Sequence, residues 1–131
     1  MRVVVDTNVL ISALLTKGGT CDQVARSVLS GETWLISQAV IAEYKEVMSR
    51  PELCLLPADV VDYLEQILGE GIWVQTAPVG PQAKDPTDQI FLELAVLGLA
   101  DILVTGNAKD FPLKAKLPFQ ILTPAEYLRV V

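Results

Sequence analysis

Three β-branched residues, Val3-Val4-Val5, run directly into Asp6-Thr7-Asn8 at the start of the chain. A short, wholly apolar run of this kind predicts a buried strand of a parallel sheet, because an unalternated pattern suits a strand covered on both faces. The run ends on a carboxylate. In open α/β sheets the carboxyl ends of the strands are where ligands bind, so Asp6 is placed at the functional edge from the outset.

The same punctuation recurs downstream. Asn8 to Thr16 is predicted helical and is stopped by Lys17-Gly18-Gly19, after which Thr20 can cap a helix over Cys21 to Leu29. Trp34-Leu35-Ile36 predicts a second strand, and Ser37 caps a helix from Gln38 to Ser49 that Arg50-Pro51 stops. Pro57 to Leu68 forms an amphipathic helix with Val60, Val61, Leu64, Ile67 and Leu68 on its inner side. Ile72-Trp73-Val74 is a third strand, and Ala77 to Ala83 is a Pro/Gly loop too short to divide domains. Asp85-Pro86 opens a helix to about Leu97 whose apolar run, Ile90 to Val96, implies burial almost all round. Ile102-Leu103-Val104 is a fourth strand, Phe119-Gln120-Ile121 a candidate fifth, and Thr123-Pro124 starts a short final helix. Strands alternating with helices predict a mostly parallel sheet of four or five strands with helices on both faces, in one domain over residues 1–131.

Composition narrows the chemistry. The chain has no histidine, which removes His-based acid–base catalysis, Ser-His-Asp triads and His-ligated zinc. Cys21 and Cys54 lack metal-like spacing and read as idle thiols of a reducing compartment. The apolar fraction is 51%, yet no uninterrupted segment approaches the roughly 20 residues of a membrane span. No basic segment leads into a long apolar one, because Asp6 interrupts the first run, so a cytoplasmic location is expected. A net charge of −6 argues against a broad surface that coats nucleic acid, and suits a basic protein partner.

Carboxylates therefore carry the site hypotheses. Asp6 is either the N-cap of the first helix or a ligand. Asp6 and Asn107 both follow apolar strands, so parallel pairing puts them on one edge, with Asn8 and Thr105 as polar neighbours. Asp85 is the natural cap of a helix with Pro86 at its first position, while Asp88 either decorates the helix dipole or faces the same edge. Glu43 flanks the apolar face of Val40, Ile41, Tyr44, Val47 and Met48, but at about 100° per residue Lys45 flanks the opposite side equally well. Asp101 precedes a strand and suits a turn role, and Asp110 either reaches the edge or faces water. Converging carboxylates without histidine favour a hard cation, Mg²⁺ or Mn²⁺, and the chemistry that uses such a site is phosphodiester hydrolysis.

Four segments in order, VVVDTNVLISALL, the Ser37…Glu43 helix ending in Arg50-Pro51, KDPTDQIFLELAV and ADILVTGNAKDFP, resemble the PIN-domain family. The resemblance spans nearly the whole chain and is nearest to small prokaryotic toxins of toxin–antitoxin systems, related to VapC-type ribonucleases. It implies a three-layer α/β/α fold, with Asp6, Glu43 and Asp88 as metal ligands. The family's fourth acidic position is here Asn107, which adds no charge and leaves Asp110 as a possible substitute. It further implies an RNA substrate, a small antitoxin partner and homodimers. A phosphatase of the haloacid-dehalogenase type would need an acid where Asn8 stands, and a Rossmann binder would need glycines after the first strand. A PIN-like protein-binding module with little or no nuclease activity is the alternative from another class.

Overall fold

The computed structural model describes residues 1–79, 82–83, 85–111 and 117–131, apart from the side chain of Asp110. Five strands are present among them: β1 (Arg2–Val5), β2 (Thr33–Ile36), β3 (Ile72–Trp73), β4 (Ile102–Val104) and β5 (Gln120–Leu122). They form one parallel sheet in the order β3-β2-β1-β4-β5. Six α-helices flank it: α1 (Thr7–Leu15), α2 (Thr20–Gly31), α3 (Gln38–Met48), α4 (Pro57–Glu70), α5 (Pro86–Leu97) and α6 (Pro124–Val130).

The apolar triplet behaves as its composition demands. Val3, Val4 and Val5 are fully buried, so β1 is covered on both faces. It pairs with β2 on one side and β4 on the other, with Val5 opposite Val104. The core around it includes Leu35, Ile36, Leu103, Val104, Phe91, Leu92 and Tyr44. Helix α5 packs over β1, β2 and β4, α3 leans on α5, and α2 packs against α1, α4, α6 and β2.

The chain turns where its punctuation says. Ser37 caps α3, its Oγ accepting from the Val40 amide at 3.1 Å. Asp85 caps α5, and Thr123 with Glu126 closes a reciprocal capping box on α6. Asp101 accepts from the Arg2 amide at 2.8 Å, tying the start of β1 to the turn before β4.

Several expectations are corrected. Thr20 is the first residue of α2 rather than its cap, Gly19 occupies the cap position, and the helix continues through Gly31. α4 runs on to Glu70, because Gly69 is tolerated inside it and the chain breaks only at Gly71. Of the inner side predicted for α4, only Ile67 is buried; Val60 and Leu64 are partly covered, and Val61 and Leu68 are exposed. α5 is less enclosed than its apolar run suggests: Phe91, Leu92, Leu94 and Ala95 are buried, but Ile90 and Val96 only partly so. β3 lies at one edge of the sheet, with Ile72 and Trp73 exposed. β5 begins at Gln120, one residue later than predicted. The predicted 77–83 loop is irregular where described; Gly80, Pro81, Lys84 and Pro112 lie outside the described residues.

Candidate functional site

The sheet order reverses between β1 and β4. From β1 the chain moves outward to β2 and β3, then returns to place β4 on the other side. That switch point leaves a crevice beyond the carboxyl ends of the two central strands. Asp6 follows β1 there, and Thr105, Gly106 and Asn107 follow β4.

Asp6 occupies the cap position of α1, but its side chain makes no capping hydrogen bond. Its Oδ2 instead accepts from Thr105 Oγ1 at 2.7 Å and from Asn8 Nδ2 at 3.4 Å. Thr105, fully buried, also accepts the Asn107 amide at 3.1 Å, and Asn8 accepts the Gly106 amide at 3.2 Å. Two ladders of hydrogen bonds thus lock the ends of β1 and β4 together around one carboxylate. Asp6 is almost wholly buried. Burial raises its pKa, and the charge of Glu43 adds to the rise; Thr105 and the amides of Thr7 and Asn8 only partly oppose it.

Helix α3 supplies the second acid. Tyr44, buried against β1, donates its hydroxyl proton to the Val5 carbonyl, one residue before Asp6. Burial pushes the Tyr44 phenol above its ordinary range, so it remains a donor. This anchor holds neighbouring Glu43 beside Asp6, where Thr7 Oγ1 donates to Glu43 Oε2 at 3.2 Å. Glu43 is half-buried while Lys45 and Glu46 are exposed, and of the two flanking residues Glu43 lines the cleft.

Helix α5 brings its first turn to the other wall. Asp85 Oδ1 accepts from the Thr87 amide at 2.9 Å and from Thr87 Oγ1 at 2.8 Å. These bonds hold the Asp85 carboxyl below its ordinary pKa and commit it to capping. Asp88 is half-buried and enters the cleft.

The result is a cleft of about 480 Å³ lined by Asp6, Asn8, Glu43, Asp85, Asp88 and Asn107 among others. Thr105 lies behind Asp6 as a positioning group. Asp110 closes a short 3-10 turn after Asn107, and its side chain lies outside the described residues. Arg50, Glu52 and Thr87 also line the cleft and had not been singled out from the sequence. The signal for Arg50 was present, since Glu43, Val47 and Arg50 follow the spacing of one helix face. Among the described residues no three acidic side chains already stand close enough to enclose an ion. Asp6, which is buried, and Glu43 and Asp88, which are half-buried, nonetheless offer only oxygen donors and repel one another, which fits a hard divalent cation.

A model of the PIN domain matches residues 2–109. The chain belongs to the PIN-domain family. The match takes in Asp6, Glu43, Asp88 and Asn107 and stops before β5 and α6. PIN domains are typically nucleases. No curated protein sequence matches the chain. Among solved structures, this PIN domain is similar to a chain of VapBC2 from Rickettsia felis bound to a DNA fragment from their promoter. The TM-score is 0.62 at 16% identity, over 94% of this chain and 98% of that one. At that identity the likeness is one of fold. Among the described residues no helix is long and apolar enough to cross a membrane.

Proposed function

We propose that this PIN domain, taken as one unit over residues 1–131, is a metal-dependent endoribonuclease and the toxin of a toxin–antitoxin pair. One observation carries the reading: Asp6, Glu43, Asp88 and Asn107, drawn from four separate segments, line a single cleft at the switch point of the sheet. Asp6, Glu43 and Asp88 would hold Mg²⁺ or Mn²⁺. When bound, such a cation supplies Lewis acidity to the scissile phosphate and favours ionisation of the attacking water.

The chain's own residues prepare that chemistry. Thr105 and Asn8 fix the orientation of Asp6, and Thr7 does the same for Glu43. Burial of Asp6 keeps bulk water from solvating its charge, so the carboxylate is poised for a cation. Asn107, facing the cleft, can orient water or a phosphate oxygen through its amide, but contributes no charge. A homodimer in the cytoplasm, neutralised by a small basic antitoxin, completes the proposal. The net charge of −6 supports a basic partner, which it would steer electrostatically, and the similar fold in a VapBC2 assembly supports the pairing.

Incubation of varied RNAs with the protein in Mg²⁺ or Mn²⁺ tests the reading. Cleavage is expected with either ion, and is expected to disappear in EDTA and to fall at least a hundredfold in Asp6→Asn. If wild type and Asp6→Asn behave alike on every RNA and with both ions, the enzyme reading fails. The protein-binding alternative, favoured by Asn107 in place of an acid, then takes its place.

A further inference from the structure

The cleft is anionic, and on the nuclease reading its substrate is anionic too. Asp6, Glu43, Glu52, Asp85 and Asp88 all line it. A divalent cation would offset charge at the centre, but not along the wall that the rest of an RNA strand must follow. Among the described residues lining the cleft, Arg50 is the sole cation.

Arg50 stands just beyond α3, seven positions after Glu43. Seven residues return a helix to nearly the same azimuth about 10 Å further along its axis. Arg50 therefore shares the cleft side of α3 with Glu43 and Val47, but lies at the wall rather than the centre. Pro51 fixes the backbone that follows and opens a short 3-10 turn ending at Leu53. The guanidinium rests on Glu46, with Nε to Oε1 at 3.2 Å and Nη2 to Oε2 at 2.8 Å. The two side chains are 47% and 59% exposed, so water screens the pair and its exchange for another anion is easy. A planar fork that fits one carboxylate in this way fits a phosphate equally well.

We propose that Arg50 is a binding residue for the phosphodiester backbone, engaging a phosphate beside the scissile one, and that Glu46 is the resting counter-ion it leaves. This rests on the nuclease reading and adds to it how an acidic cleft grips an anionic strand.

Steady-state cleavage of a short single-stranded RNA and of a dinucleotide, which carries only the scissile phosphate, separates the possibilities. On the longer RNA, Arg50→Ala is expected to raise KM about tenfold with kcat within twofold, the pattern of lost uniform binding. Arg50→Lys should recover part of the loss. The dependence of log(kcat/KM) on log salt should flatten by about 0.7, one phosphate contact on a single strand. Glu46→Gln, which frees the guanidinium, should lower KM by about twofold. On the dinucleotide, wild type and Arg50→Ala should match. An unchanged KM in Arg50→Ala on the longer RNA, or an equal loss on the dinucleotide, overturns the assignment while wild-type cleavage leaves the nuclease reading intact. A wild type that cleaves neither substrate brings down both. Circular dichroism of each variant checks that the fold is kept, as expected for an exposed side chain.

Discussion

Asp6 is held in a position that costs the folded chain stability. It is buried, faces Glu43, and receives hydrogen bonds that only partly offset the lost solvation. Its folded pKa is raised above the ordinary 3.8. A raised value means that the protonated form is favoured by folding. The contribution to stability is then complete below about pH 4 and is lost as pH rises through the folded value. Above the folded pKa the ionised carboxylate is a local strain that a cation would relieve. Asp6→Asn should therefore raise the midpoint of thermal unfolding at pH 7.5 in EDTA by a few degrees, on the order of 1 kcal/mol, while removing activity. Near the ordinary carboxyl pKa the gap between the two proteins should narrow. Melting curves of both at several pH values, with EDTA throughout, measure this; a variant less stable than wild type at neutral pH contradicts it.

The sequence exposed Asp6 because strand composition alone puts a carboxylate at a strand's tip. It could not separate ligand from cap, since both need the same position; the contact with Thr105 across the sheet shows only that the side chain is turned away from capping. Glu43 and Lys45 were equivalent by helical spacing. The Tyr44 anchor to Val5 distinguishes them, and that contact joins residues 39 apart in sequence. Glu52 was not legible, because an acid after Arg50-Pro51 carries no pattern until the chain folds back to the cleft.

At the scale of elements, the junction of α1, α2 and α4 depends on Asp22, which no sequence pattern marked. Gly18, in the left-handed region with φ of 79°, turns the chain between α1 and α2 and donates its amide to Asp22 Oδ2 at 2.8 Å. The Tyr63 hydroxyl of α4 donates to the other oxygen, and Arg26 Nε adds a contact at 3.2 Å. Burial alone would raise the Asp22 pKa, but Tyr63, Gly18 and Arg26 together hold it below the ordinary range. A depressed value contributes stability above the unfolded pKa, lost as pH falls through the folded one. Asp22→Ala should cost about 2–3 kcal/mol by urea denaturation at pH 7, because two neutral donors lose a charged acceptor. The cost should shrink in acid as wild-type Asp22 is protonated. A loss under about 0.5 kcal/mol would mean that the cluster does not hold the three helices together.

Strand positions were legible because apolar β-branched runs between turn residues have few other uses. The face of α4 was not. Its periodicity named a broad inner stripe, yet α4 packs at the margin, and Val61 and Leu68 stay in water.

For the whole molecule, alternation of strands and helices implied a parallel sheet but not its order. Order depends on which side of β1 each crossover lands, and the reversal between β1 and β4 is what opens the cleft. That reversal brings residues from opposite ends of the chain to one crevice, and it turns four scattered polar residues into one candidate site. The same scale explains the tension between a net charge of −6 and a nucleic-acid substrate: much of the negative charge at the cleft is what a divalent cation would neutralise.

The central claim is that Asp6, Glu43 and Asp88 jointly bind that cation, with Asn107 limiting how tightly. Titration of Mn²⁺ into the protein, followed by the electron paramagnetic resonance of the free ion, measures this without any RNA. Asp6→Asn, Glu43→Gln and Asp88→Asn should each weaken binding at least tenfold, and Asn107→Asp should strengthen it severalfold by adding a fourth carboxylate to the three proposed ligands. Mn²⁺ affinity unchanged in Asp6→Asn would contradict the account.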